Sequence, residues 1–109
     1  MMSLFLTGAS AGVAALFLVS HAVADKGQEE LRYVHDLALG IGGAYRCGYD
    51  LDMLAVRRAI DEQMWDLTAE ARRRFRLKLA RITAPDAQPD GQTCAQRRLI
   101  AERLGVLGH

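Results

Sequence analysis

An excess of charge of one sign is missing from this sequence: 14 Lys and Arg stand against 13 Asp and Glu in 109 residues, a formal net charge of +1. That balance excludes bulk attraction to nucleic acid or to acidic lipid. Histidine is scarce at three residues, and cysteine scarcer at two. Cys47 and Cys94 share no CxxC spacing, which rules out a zinc ribbon, a thioredoxin-type redox centre and a c-type haem site. No stretch alternates apolar and polar residues convincingly at period two, so no segment reads as a strand. Internal repeats, low-complexity tracts and interdomain linkers are also lacking, and the length allows one domain.

What is present begins with an apolar run. Met2 to Ala24 carries no formal charge, and its strongest block, "VAALFLV" at Val13–Val19, has the length of a secretory hydrophobic region. Ala22 and Ala24 place methyl-sized side chains at positions −3 and −1 of a signal-peptidase cut, leaving Asp25 as the new terminus. No Lys or Arg precedes the run, where a signal peptide ordinarily has one. The same residues also fit a retained anchor. About 22 helical residues at 1.5 Å each reach roughly 33 Å, enough to cross a hydrocarbon core of about 30 Å. In that alternative Gly8 and Gly12 form a GxxxG face for packing a second helix. The expected division is therefore 1–24 as secretory signal peptide or retained membrane anchor, and 25–109 as a small helical domain exported in either case.

The cysteine pair points to the same compartment. An even count behind a signal-like segment reads as one structural disulfide, Cys47–Cys94, formed in oxidising surroundings such as the periplasm or outside the cell. Closing a loop of that length destabilises the unfolded chain by about 4 kcal/mol in the chain-entropy account. For a domain of 85 residues, whose core is modest, that is a large share of the total.

After Ala24 the apolar residues recur at helical spacing. Leu31, Val34, Ala38, Ile41 and Tyr45 step by three and four, predicting a first helix over about Lys26–Arg46. Gly40, Gly42 and Gly43 weaken its last turns by up to about 1 kcal/mol each relative to alanine, which suggests close backbone approach or fraying before Cys47. Gly48 reads as a C-cap, and Asp50 or Asp52 as the next N-cap. A second helix is expected to about Asp66, with Met53, Val56, Ile60 and Met64 inward and Trp65 at its edge. Thr68 caps a third over Ala69–Ile82, with Ala71, Phe75, Leu79 and Ile82 inward. "TAPDAQPDG", Thr83–Gly91, holds both prolines and is a loop. Gln92 or Thr93 opens a fourth helix carrying Cys94, Ala95, Leu99, Ile100 and Leu104. The fold class is thus all-α, a three- to four-helix bundle stapled by one disulfide.

Chemistry-bearing groups are few. Covalent catalysis needs a nucleophile beside a base and a third group to orient it. His35 and Asp36 are adjacent on a helix and point about 100° apart, so they do not form an orienting pair. Glu62 and Asp66 have metal-ligand spacing beside Asp61, but without a nearby histidine they read as a solvated acidic face. No enzyme activity, metal or cofactor is expected. Charge is unevenly spread: Asp25–Ala71 has net −5 and Arg72–His109 net +6. The densest patch is "RRRFRLK", Arg72–Lys78. Arg72, Arg73 and Arg76 read as one exposed row, either paired with the acidic second helix, free to dock an acidic protein partner, or in contact with anionic headgroups. Trp65 is a further candidate anchor for that partner. Nucleic acid is not expected, and membrane contact is expected where the N-terminal helix is kept.

The functional expectation is a non-enzymatic exported interaction protein, an accessory, inhibitor or immunity-type module. The alternative is a single-span accessory subunit of a membrane complex with a disulfide-bonded head.

Overall fold

In the computed structural model, which describes residues 26–108, the three-and-four stepping of the first segment winds into a helix, α1, over residues 26–47. Residues 1–24, and with them the signal-or-anchor expectation and Gly8 and Gly12, lie outside the described residues. Val34, Leu37 and Ala38 form the buried stripe of α1. Tyr45, expected inward, is 75% exposed. It lies past Gly42, the point where α1 already meets the last turn of the third helix, so no partner covers it. Its ring instead takes the Arg46 guanidinium at 5.1 Å. Leu31, at the other end of the stripe, is also exposed.

Gly48 ends α1 with φ +75°, a backbone state that favours glycine, and its N–H donates to the Ala44 carbonyl at 3.0 Å. Asp52 then caps α2, Met53–Asp61, by accepting from the N–H groups of Leu54 and Ala55. The second helix is shorter than expected. It stops at Asp61, and Gln63–Asp66 follow as a 3-10 turn. A 3-10 turn winds tighter, at three residues per turn, so the phase of the apolar face changes there. Met64 is carried into the core and Trp65 outward, while Val56 and Ala59 make the buried side of α2. Met53 and Ile60, expected inward, are 57% and 38% exposed.

The third helix, α3, spans Ala69–Ile82 under the Thr68 cap, whose hydroxyl accepts from the Ala71 N–H at 3.2 Å. Ala71, Phe75 and Ile82 are buried, and Leu79 packs partly buried against them. α3 runs parallel to α1: the Thr68 N–H donates to the Glu30 carboxylate near both helix starts, and Leu79 and Ile82 meet Gly42 near both ends. The loop after α3 is held where Arg46 donates to the Ala84 carbonyl at 2.7 Å.

The fourth helix, α4, is Gly91–Arg103. Its cap is Asp90, earlier than expected, accepting from the Thr93 N–H at 2.7 Å. α4 runs antiparallel to α1. Cys94 bonds to Cys47 with their Cα atoms 5.3 Å apart, Arg97 lies at Gly43, and Ala101 at Gly40. That anchorage sets the rotation of the helix, so Cys94, Arg97, Ala101 and Leu104 look inward at steps of three, four and three. The bridge at Cys94 leaves Ala95 and Leu99 facing out, and Leu99 is 58% exposed.

Gly105, φ +74°, closes α4 in a Schellman turn: its N–H donates to Glu102 and the Val106 N–H to Ala101. Val106 is buried, and the chain then returns along the α1–α2 loop. Leu107 bridges Leu51 antiparallel, with Asp52 N–H to Val106 and Gly108 N–H to Asp50, both at 2.8 Å. This isolated bridge aside, the described residues are an all-helical bundle of four α-helices with one disulfide. No helix among them is long and apolar enough to cross a membrane.

Candidate functional site

The arginine row on α3 does not act as one row. Positions 72 and 76 lie on one flank of the buried Phe75 line, and Arg73 reaches the other. Arg72 is half-buried and turns back toward the 3-10 turn. It donates to the carbonyls of Leu67 at 3.3 Å and Trp65 at 3.5 Å, and its guanidinium lies 5.6 Å from the Trp65 ring centroid. Two carbonyls and an aromatic face thus hold one cation, and the cation in turn orients the ring.

Trp65 is 74% exposed in this arrangement. It stands with Arg72 and Arg76 over a shallow pocket of about 440 Å³ whose apolar lining is Ile60, Met64 and Phe75. Asp61 is at the same rim. Trp65, Arg72 and Arg76, expected from the sequence to meet a partner, thus share this patch, while Arg73 belongs elsewhere. An ion pair across to the acidic second helix is not what holds it. Among the described residues no carboxylate of Asp61, Glu62 or Asp66 lies within 4 Å of these cations, and Arg74 pairs instead with Glu70 of its own helix at 3.6 Å.

On the other flank α1 and α3 enclose a groove of about 570 Å³. Leu31 and Leu77 supply its exposed apolar surface over the buried Val34, and Arg73, Arg74, Lys78 and Arg81 stand along α3 with His35 opposite on α1. Positions 74, 78 and 81 carry the four-and-three step of a single helix flank, the one sign of this groove in the sequence. What the step could not tell is that α1 brings leucine and histidine alongside.

The remaining polar groups serve the frame. Tyr49 donates to the Gly40 carbonyl, and burial pushes its phenol upward, partly opposed by the nearby Arg97 charge. Burial likewise raises Tyr33, which donates to Gln63 at 2.6 Å. Asp90 is held below the usual carboxylate range by its hydrogen bonds from Thr93. Arg97 Nε and Nη1 are buried without a hydrogen-bond partner among the described residues. His35 is exposed. Among the described residues no group of three or more His, Cys, Asp or Glu side chains is placed to hold a metal ion.

Fold and site define a small disulfide-bonded helical domain with two sharply different flanks on one helix. No protein-family model matches the chain, and neither the curated proteins nor the solved structures contain a significant match.

Proposed function

We propose that this protein is a non-enzymatic exported interaction module, acting in the periplasm or outside the cell as an accessory, inhibitor or immunity-type binder. The disulfide supports an oxidising compartment, because such bridges persist there and are rare in the reducing cytosol. The observation that carries the binding role is Trp65, a large aromatic left in solvent and held in place by Arg72. Tryptophan and arginine dominate the energetics of protein interfaces, above all where they sit over an apolar pocket. Arg76 and Arg72 give that patch a positive edge, suited to an acidic protein partner.

A photoreactive residue at Asp61, on the rim of the patch, tests this in the native cell envelope, with Ala95 on α4 as the control position. The expected result is a discrete adduct from position 61, none from position 95, and loss of the adduct on Trp65→Ala. Because the indole is mostly exposed and its one marked contact is the Arg72 cation, that substitution should change stability by no more than about 1 kcal/mol. Equal labelling from both positions, or an adduct indifferent to Trp65→Ala, removes the patch as the binding surface.

A further inference from the structure

We propose that the groove between α1 and α3 binds the headgroup of an anionic glycerophospholipid, its phosphate taken by Arg73, Lys78 and Arg81 and its first apolar atoms lying on Leu31 and Leu77. This is a different flank from the Trp65 patch and does not rest on it.

Three observations select this ligand. The first is charge arrangement. Glu70 engages Arg74, whereas Arg73, Lys78 and Arg81 have no carboxylate within 4 Å among the described residues. They surround an apolar strip, and Leu77 at its centre is 58% exposed. A bare anion would use the cations and leave that strip wet; an amphiphilic anion uses both. The second is size. From Arg73 to Arg81 is eight residues, about 12 Å of helix, and α1 contributes one turn, Leu31–His35. A helix laid in a groove needs anchors over two turns or more on both walls, whereas a single headgroup with a short stem fits this length. The volume of about 570 Å³ is in the range of small-ligand sites. The third is position. The residues from Met2 to Ala24 contain no Asp, Glu, Lys or Arg and end seven residues before Leu31. On the exported reading proposed above, such a run delivers this groove to a membrane surface during export.

The test titrates the purified protein with soluble dihexanoyl phosphatidylglycerol, and separately with dihexanoyl phosphatidylcholine, inorganic phosphate and an acidic peptide of alternating glutamate and leucine. The readouts are calorimetry and the NMR signal of the His35 ring. The expected result is saturable binding of the phosphatidylglycerol with a shift of His35, and weaker binding of the other three. Arg73→Gln/Lys78→Gln/Arg81→Gln should lose at least about tenfold in affinity, since a hydrogen bond to a charged group is worth about tenfold or more. Arg57→Gln, on the exposed side of α2, should lose nothing. Phosphate binding as tightly would make the groove a plain anion site, and tighter peptide binding would make it a protein site; either overturns the proposal. Equal binding of the phosphatidylcholine overturns it too. If the triple variant fails to fold, the His35 shift in the unaltered protein decides the matter, and its absence at saturation is fatal.

Discussion

Three glycines in one helix are costly in propensity, and each is occupied by a different neighbour. A Cβ on Gly40 would come within 3.1 Å of the Ala101 Cα, one on Gly42 within 3.0 Å of Leu79 and Ile82, and one on Gly43 within 2.6 Å of the Tyr49 hydroxyl. α1 is therefore shaved where α3 and α4 press on it. Gly27 lies on the same helix with nothing within 4 Å of such an atom. Gly43→Ala should destabilise the protein by about 1–3 kcal/mol, because overpacking outweighs the propensity gain and displaces Tyr49 from the Gly40 carbonyl. Gly27→Ala should stabilise it by up to about 0.5 kcal/mol. Urea melts of the two variants check both signs, and a stabilised Gly43→Ala would show that the helices approach less closely than described. The glycine spacing was legible as a sign of close approach, but which neighbour fills each gap was not.

At the scale of the element, α4 owes its orientation to the bridge. Ala101 is its one fully buried side chain, while Leu99 looks outward, so apolar burial alone defines its inward face weakly. The Cys47–Cys94 bond, together with the Schellman turn at Gly105 and the Leu51–Leu107 bridge, holds both of its ends. Cys47→Ala/Cys94→Ala should cost about 3–4 kcal/mol, with hydrogen exchange rising first in α4. Uniform exchange across all four helices, or an unchanged melting midpoint, would count against this division of labour. The Cys47–Cys94 pairing was readable from an even count and the signal-like leader. The outward turn of Leu99 was not, since an apolar residue in a helical period reads as inward until the constraint on rotation is known.

For the molecule as a whole, the decisive contrast is between the two flanks of α3: indole and guanidinium over a shallow pocket on one, cations around leucines on the other. A module of this kind, released after export, should start at Asp25 when its intact mass is measured from the soluble envelope fraction. A chain starting at Met1 and found only in membranes would instead make it the single-span accessory subunit, with Gly8 and Gly12 available for helix packing.

By itself the amino-acid order determined the helical class, the cap at Thr68, the bridge and the loop at Thr83–Gly91, and narrowed the cap of α2 to Asp50 or Asp52. These depend on local backbone preference, on periodicity, or on there being only one way to pair two cysteines. Tertiary structure alone decided the broken second helix, the rotation of α4, the return of the tail onto Leu51, and the sorting of the arginines to two flanks. Each of those depends on which distant surface lies opposite, and a side chain's neighbours along the chain do not carry that information.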